Sequence, residues 1–405
     1  MSVTGGFIDQ CEQEPLHLSG AIQPHGALLV ADAQGQVTHA SENLDQWLAP
    51  PEQLIGKPLP DPLATLSAEL DDQPGSRITR INAELAGHSA SVVLTRSSNG
   101  AVVIELLPTS TDTSTGAPMP VLPFTELNHP LQIDDARQRL VEHIQAHTGF
   151  DRVLYYLFRH DETGEVVAEA CGTETTGTYH GLRFPASDIP RIARDLYMKS
   201  PWRTIPDAQA ASINILGRGE TPPDLSHADL RSVSPVHQSY MANMGVAGAV
   251  SIPVKTATRL KALISCHSAA PRNLTLPELK ALADQVFTFN LRLRELLTSR
   301  RMSLLDRMEK RFQSWHNQVV QAGSLDDAWP ELAQQLCEEF QADGVWLAVE
   351  NRAYQFGTVP DTEAMELIED WLSTRQDPND IVLSQGVTHD CPHPVLSPMT
   401  ARTRC

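Results

Sequence analysis

Short apolar runs of strand length recur through roughly the first 270 residues, and turn residues separate them. Residues 26–41 (GALLVADAQGQVTHAS) contain an apolar run and an alternating run on either side of a turn, which predicts two paired strands. Residues 134–149 predict a helix, and residues 151–158 (DRVLYYLF) predict a strand that continues into a hairpin. Two further strand patterns follow at residues 247–254 and 260–268. This order predicts an α+β fold with two antiparallel-sheet domains and flanking helices.

A segment rich in proline, threonine, serine and glycine, residues 107–123 (LPTSTDTSTGAPMPVLP), separates the two sheet regions. Such a composition is typical of a long loop or a domain boundary. The predicted domains are a first domain over residues 1–123, a second over 124–300, a connecting helix with an incomplete third domain over 301–385, and an irregular tail over 386–405.

A long amphipathic helix is predicted to follow the second domain. Thr275 and Glu278 have the spacing of a helix-capping box. Apolar residues then recur at alternating spacings of three and four, at Leu279, Leu282, Val286, Phe289, Leu293 and Leu296, and again at Leu304, Met308, Phe312, Trp315 and Val319. This spacing predicts a coiled-coil seam over residues 279–319 and a parallel homodimer. The alternative is an amphipathic helix that lies on its own domain.

The third unit opens with the same order of elements as the second. Residues 325–340 (LDDAWPELAQQLCEEF) predict a helix, and residues 343–350 (DGVWLAVE) predict a strand. The remaining chain is too short and too irregular to close a domain, so the unit is expected to be incomplete. Four possible metal ligands lie in the tail, at His389, Asp390, Cys391 and His393. They have no second ligand pair, and an unstructured tail is the favoured interpretation.

The composition argues against several classes of protein. The net charge of −19, from 50 acidic and 31 basic residues, disfavours nucleic acid and anionic membranes as partners. No signal peptide and no long apolar run is apparent, which indicates a cytoplasmic protein. The six cysteines lack CxxC spacing, so neither a disulfide framework nor a zinc finger is predicted. Phosphate-loop, dinucleotide, zinc-protease and serine-hydrolase motifs are missing, so the sequence does not indicate an enzyme.

Three segments of the second domain concentrate residues suited to ligand binding: residues 183–203, 230–246 and 264–268. Together they offer two arginines able to hold carboxylates, two histidines, an aspartate and several tyrosines. These residue types suit a long, planar, mostly apolar ligand with acidic groups. Each residue alone has a simpler explanation: Arg203 as a solvated charge, His237 as a hydrogen-bonded core residue and Asp188 as a helix cap.

Four segments together carry a family resemblance: CEQEPLHLSGAIQPHGALL from Cys11, FPASDIP, RSVSPVHQSYMANMGV and CHS. In order and spacing they resemble the biliverdin-binding photosensory core of the bacterial phytochromes, over roughly residues 5–325 and more weakly beyond. The resemblance implies PAS and GAF sensor domains joined by a knot, a long dimerising helix and a truncated, GAF-like PHY domain. It implies a red/far-red light receptor that switches by isomerisation of its bilin.

The resemblance assigns the cysteine of the N-terminal leader to the chromophore. In the family this cysteine forms a thioether with the A-ring vinyl group of biliverdin, which gives Cys11 its expected role. Members that attach a reduced bilin instead have a cysteine just before the pocket histidine. Val236 stands at that position here, which favours biliverdin.

The resemblance also implies the remaining ligand contacts. The propionate carboxylates are expected to be bound by Arg203, Arg231, Tyr197, Ser234 and Ser251. The D-ring is expected to be surrounded by Tyr156, Phe184, Tyr240 and His267, with Ile189 packed against the ring system. Asp188 is expected to meet the pyrrole N–H groups and to change partners on photoconversion, and His237 to stabilise a protonated tetrapyrrole. Ala249 departs from the family, which often has a serine there.

Two other functions remain open: a GAF-type regulatory module that binds a cyclic nucleotide or another small metabolite, and a bilin-processing oxidoreductase. Cys11 and the paired arginines favour the covalent bilin. A separate signalling partner is possible, because no output domain is recognised. Complete members cover the chromophore with a hairpin from the third domain, which is not recognised here either. An incomplete or rapidly reverting photoproduct is therefore expected.

Overall fold

The computed structural model describes residues 14–109, 119–122, 124, 127, 129, 132–219, 221–349 and 352–374. The chain divides into two compact units, residues 1–299 and 300–405. The described strands are β1 Ala21–Ile22, β2 Ala27–Ala31, β3 Val37–Ser41, β4 Arg77–Leu85, β5 His88–Arg96, β6 Val102–Pro108, β7 Arg152–Phe158, β8 Gly164–Cys171, β9 Arg183–Phe184, β10 Arg203–Ile205, β11 Ile213–Gly217, β12 Gly248–Lys255, β13 Leu260–Ser268, β14 Gly344–Val349 and β15 Arg352–Gly357.

The described α-helices are α1 Pro51–Leu54, α2 Leu63–Ala68, α3 Ile133–Thr148, α4 Arg191–Lys199, α5 Pro235–Asn243, α6 Leu276–Ala322, α7 Leu325–Phe340 and α8 Thr362–Ser373. Short 3-10 helices lie at Leu16–Leu18, Glu42–Gln46 and Ala186–Asp188. These elements form an α+β fold with antiparallel strand pairing in each of its sheets, as the sequence predicts.

The first sheet has seven strands in the order β1-β11-β3-β2-β6-β5-β4. Its central strand β2 has the sequence ALLVA, and all five residues are buried. Alternate side chains point to opposite faces of a strand, so Leu29 packs in one core and Leu28 in another. A strand covered on both faces reads as a continuous apolar run, which explains why this segment lacks alternation.

Strand β11 lies within the range predicted for the second domain, but it pairs with β1 and β3 of the first sheet. The N-terminal leader, which precedes β2, is also hydrogen-bonded to residues 230–232, which come after β11 in the chain. The Gln23 N–H group donates to the Leu230 carbonyl at 2.7 Å, and the Ser232 N–H group donates to the Ala21 carbonyl at 3.1 Å. These contacts bind the leader to the second domain along several consecutive residues.

The second sheet has six strands in the order β10-β12-β13-β7-β8-β9. One face carries Tyr155, Ile264 and Cys266, which pack into the same buried cluster as residues of α3 and α6. The rings of Tyr155 and Phe289 lie 5.9 Å apart in an edge-to-face arrangement. This face is the domain core, and the opposite face is free to line a cavity.

Helix α6 runs for 47 residues, and its first half corrects the predicted dimer seam. Leu279, Leu282, Val286, Phe289 and Leu293 are at most 8% exposed, and all pack into the core of their own domain. The prediction that these residues face a second chain is therefore wrong, and the alternative of a helix lying on its own domain is confirmed. Apolar residues at spacings of three and four indicate only that one face of the helix is covered. They do not indicate whether a sheet or another helix covers it.

Other apolar residues of α6 are exposed instead. Between residues 287 and 297 these are Phe287, Leu291 and Leu297. In the second unit, Leu304 and Phe312 of the predicted seam are exposed. Trp315 is buried in a cluster with Trp329, Leu332 and Ala333, and Met308 and Val319 are partly buried against it.

The second unit continues with α7, the two-stranded β14–β15 sheet and α8. Helix α7 and strand β14 are where the repeated helix-then-strand pattern predicts them. The tail with His389 and its neighbours lies outside the described residues. No cluster of three or more potential metal ligands is found in the described part of the chain. Nor does that part contain a helix long and apolar enough to cross a bilayer.

Candidate functional site

A cavity of about 340 Å³ lies against the second sheet, on the face opposite the core. Alternate residues of three neighbouring strands line it: Leu154 and Tyr156 of β7, Leu263, Ser265 and His267 of β13, and Ala249 and Ser251 of β12. Their strand register puts them side by side, with Ser251 opposite Ser265 and Ala249 opposite His267. The volume is within the range of small-molecule sites, which is about 300–1,000 Å³.

Two short helices and the segments around them form the other wall. The stretch from β9 through α4 contributes Phe184, Asp188, Ile189 and Tyr197, and α5 contributes Val236, His237, Tyr240 and Met241. Val236 and Tyr240 are four residues apart, as are His237 and Met241, so each pair lies on one side of α5 and the two pairs can line the same space. The leader contributes Glu14 and Leu16.

The structure brings together every described residue that the sequence analysis named as a ligand contact. These predicted contacts number twelve, and all of them line the cavity: Tyr156, Phe184, Asp188, Ile189, Tyr197, Arg203, Arg231, Ser234, His237, Tyr240, Ser251 and His267. Cys11 lies outside the described residues. Glu14, three positions later, lines the cavity and accepts a hydrogen bond from the Ser234 hydroxyl at 2.6 Å.

The two cavity arginines have no carboxylate partner among the ion pairs of the described residues. Arg203 instead donates to backbone carbonyls, at 2.7 Å to Arg231 and 3.1 Å to Ser232 and also to Asp229. Burial and the nearby Arg203 charge lower the pKa of Arg231 to about 9, which still leaves it cationic at neutral pH. Arg231 also donates to a backbone carbonyl, that of Leu225 at 3.3 Å, and the nearby Asp229 carboxylate opposes the lowering of its pKa. The cavity therefore offers two guanidinium groups that are held by backbone carbonyls and have no carboxylate in an ion pair among the described residues.

The two cavity histidines are neutral in the ligand-free protein. Burial, with a contribution from Arg203, lowers the pKa of His237 to about 4. His237 lines the cavity, and part of its surface is exposed. For His267, burial lowers the pKa to about 4, with smaller contributions from the Arg152 charge and from its interaction with His237. A neutral imidazole has one donor and one acceptor nitrogen, so each ring can match a ligand carbonyl or N–H group.

His267 has one nitrogen committed and one available. Its Nε2 lies 2.9 Å from the Ser265 hydroxyl. Its Nδ1 is buried without a hydrogen-bond partner in the described structure. A buried polar atom without a partner is costly, so this nitrogen fits a polar group of a bound ligand.

Asp188 and Tyr240 connect two segments of the same cavity wall. The Tyr240 hydroxyl donates to Asp188 Oδ2 at 3.3 Å. Partial burial raises the pKa of Asp188, and the Tyr240 hydrogen bond opposes that rise. Burial and the Asp188 charge raise the pKa of Tyr240 to about 12. Tyr156 and Phe184 complete an aromatic corner, with ring centroids 5.9 Å apart.

Several lining residues were missed by the sequence analysis. Ser265 could have been found from the alternation of β13, because it lies two positions before His267. Tyr179 had no such signal. It is placed by Arg152, whose guanidinium lies 4.1 Å from the tyrosine ring and pairs with the buried Glu169. Glu169 in turn accepts the N–H group of Tyr179 at 2.9 Å.

Comparison with protein families divides the first unit into two matched regions. Residues 11–109 match the PAS fold family PAS_2, and residues 132–289 match the GAF domain family. The first region contains most of the first sheet, and the second contains the second sheet and most of the residues that line the cavity.

Comparison with characterised proteins finds relatives along most of the chain. A bacteriophytochrome of Pseudomonas aeruginosa is 34% identical over 302 residues, which is 68% of this chain and 39% of the relative. A bacteriophytochrome of Xanthomonas campestris pv. campestris is 32% identical over 390 residues, 91% of this chain and 60% of the relative. Cyanobacterial phytochrome B of a Nostoc species is 29% identical over 393 residues. The chain spans between 39% and 60% of the length of these relatives.

Proposed function

Because this chain belongs to the bacterial phytochrome family and contains its PAS and GAF domains, we propose that it is a red/far-red light receptor that binds biliverdin in the GAF cavity. The observation that carries the proposal is a single cavity lined by Arg203 and Arg231, neither of which forms an ion pair among the described residues, together with His237, His267 and an aromatic wall. A linear tetrapyrrole has carboxylates that can pair with the arginines and polar lactam groups that can hydrogen-bond to the histidines. Its flat apolar rings can pack against the aromatic wall. A cavity with few, well-placed polar groups and a mostly apolar lining is typical of such sites.

Arg231 is the proposed principal ligand of a propionate. Its guanidinium can form two parallel hydrogen bonds to one carboxylate. Tyr197, Ser234 and Ser251 line the same cavity and can supply neutral hydrogen bonds. Arg203 adds positive charge, but several of its N–H donors already go to backbone carbonyls. Arg203 is therefore proposed both to attract the carboxylate and to support the backbone around Arg231.

When bound, biliverdin supplies absorption of red light and isomerisation about the methine bridge between its C and D rings. Around it, His237 and the backbone carbonyl of Asp188 are proposed to face the pyrrole nitrogens. His267 can donate from Nδ1 to a carbonyl when Ser265 donates to Nε2. Tyr156, Phe184 and Tyr240 are proposed to confine the D-ring.

Covalent attachment through Cys11 is proposed because the leader that follows it passes along the cavity. Glu14 and Leu16 line the cavity, and the Glu14–Ser234 hydrogen bond fixes this point of the chain. Cys11 precedes Glu14 by three residues in the sequence, and a chain of that length can span up to about 10 Å, a length compatible with attachment in the cavity. Addition of the S–H bond across a vinyl group forms the thioether with no other reactant.

The proposed signal is a shift in population between two arrangements of the cavity wall, with no reaction on a substrate. The contact between Asp188 and Tyr240 joins two wall helices and can differ between those arrangements. Asp188 is only partly buried and has no cationic partner among the described residues. A photoproduct that relies on this carboxylate is therefore expected to be incomplete or to revert quickly. The exposed Phe287, Leu291 and Leu297 are proposed to contribute to a homodimer contact.

Addition of biliverdin to purified apoprotein tests the binding proposal. The expected result is a stable green complex with a new long-wavelength absorption band. Arg231→Met should weaken binding, whereas Arg183→Met should not, because the Arg183 side chain is exposed and lies outside the cavity lining. If biliverdin produced no band and a cyclic nucleotide raised the melting temperature instead, the metabolite-sensor alternative would replace this one.

A further inference from the structure

The segment 229–232, which carries Arg231 to the cavity, is held by groups from outside the GAF fold. The Leu230 N–H group donates to Glu105 Oε1 at 2.7 Å. The Leu230 carbonyl accepts from the Gln23 N–H group at 2.7 Å. Glu105 lies on β6 of the PAS sheet, and Gln23 lies in the leader. Both residues contact the backbone immediately before Arg231.

The Gln23 side chain spans this segment. It is 4% exposed, and its Nε2 lies 3.0 Å from the Thr204 carbonyl, 3.2 Å from the Asp229 carbonyl and 3.3 Å from the Arg231 carbonyl. The carboxylate of Asp229 accepts the Thr204 N–H group at 2.7 Å and its hydroxyl at 2.6 Å. These bonds lock strand β10 and the Arg231 segment together.

Glu105 is an unusual residue for its position. It is 1% exposed and interrupts the otherwise apolar sequence of β6, VVIELLP. Burial raises the pKa of Glu105 to about 7, against the opposing effect of Arg77. Arg77 itself lies 4.8 Å from the ring of Trp202, a residue that lines the cavity. A carboxyl group is costly to bury, and a leucine would complete the apolar strand more simply.

We propose that Glu105 and Gln23 are positioning residues that hold Arg231 ready for a ligand carboxylate, so that the PAS domain takes part in ligand recognition by the GAF cavity. The proposal rests on the function proposed above. A side chain fixed before binding loses less conformational freedom when the ligand arrives, and this raises affinity without a new contact. Neither residue lines the cavity.

Hydrogen exchange in the ligand-free protein tests whether these residues hold the segment. In Glu105→Leu the amide of Leu230 loses its acceptor, so exchange at residues 230–232 should accelerate by about tenfold or more. Glu105→Gln keeps a side-chain oxygen and should remain within about threefold of the wild type. Unchanged exchange in Glu105→Leu would overturn the proposal. If that variant fails to fold, Gln23→Met provides the same test from the other side of the segment.

Paired ligands test whether the effect reaches Arg231. Affinities for biliverdin and for its dimethyl ester, which lacks free carboxylates, are compared in a Cys11→Ser background where binding is reversible. Glu105→Leu should weaken binding of the free acid by about tenfold and of the ester by less than about twofold. Glu105→Gln should restore the preference for the free acid.

Equal losses for the two ligands would show a general folding role and would overturn the proposal. Absence of biliverdin binding by the wild type would refute the proposed function. The exchange measurement would then still decide whether Glu105 and Gln23 hold the segment.

Discussion

Replacing His267 by glutamine should flatten the acid dependence of stability in the ligand-free protein. Burial, Arg152 and His237 lower the folded-state pKa of His267 from 6.5 to about 4. The unfolded chain therefore takes up a proton near pH 6.5 while the folded protein stays neutral. Protonation favours the unfolded chain increasingly as the pH falls from 6.5 to 4, and above 6.5 there is no effect. A shift of about 2.5 pH units corresponds to about 3.4 kcal/mol, of which about 2 kcal/mol is expressed between pH 7.5 and 5.

Urea unfolding of the wild type and of His267→Gln, at pH 7.5 and at pH 5.0, measures this difference. The wild type should lose about 2 kcal/mol more than the variant between the two conditions. Glutamine cannot be protonated in this range and retains an amide for the Ser265 hydroxyl. His180→Gln is the matched control, because that ring is exposed to solvent. Parallel pH profiles for the wild type and His267→Gln would refute the claim that the cavity keeps this histidine neutral.

Three further changes test separate parts of the site. Cys11→Ser should abolish zinc-induced bilin fluorescence on a denaturing gel yet leave reversible binding, and a surviving adduct would move the attachment to another cysteine. Tyr240→Phe should raise the pKa of Asp188 further, because the hydroxyl that donates to its carboxylate is removed; an infrared titration of the carboxyl band would contradict this if the pKa stayed the same or fell. Leu291→Glu with Phe287→Glu should shift sedimentation toward the monomer, since both side chains are exposed on α6, and an unchanged sedimentation coefficient would exclude this surface.

Local sequence patterns predicted helices and strands correctly where the spacing of the apolar residues alone identifies the element. The run at β2, the hairpin at β7 and β8 and the strands β12 and β13 follow from alternation and turn residues. The place of strand β11 in the first sheet could not be predicted from local sequence, because it depends on pairing with the distant strands β1 and β3. The dimer seam failed for a related reason. The spacing of Leu279 and Phe289 identifies a covered face and says nothing about which surface covers it.

The residues that line the cavity were predicted largely through the family resemblance, since most of them lie in three short segments. The residues that position them were missed. Tyr179 depends on a buried ion pair, and Gln23 acts through backbone carbonyls far away in sequence. One signal was available in the sequence. A carboxyl group within the apolar run of β6 is rare unless it has a partner, so Glu105 could have been marked as a structural or functional acid.

The claim that this chain is a light receptor is tested most directly by illumination of the biliverdin-loaded protein. A difference spectrum is recorded immediately after a red flash and then followed in the dark. The expected result is loss of the red absorption band with only a partial far-red-absorbing product. This product should revert in the dark as the cavity wall around Asp188 returns to its original arrangement. A spectrum that does not change with light would contradict the receptor function. A complete and long-lived far-red-absorbing state would contradict the weak photoproduct inferred from the partly exposed Asp188.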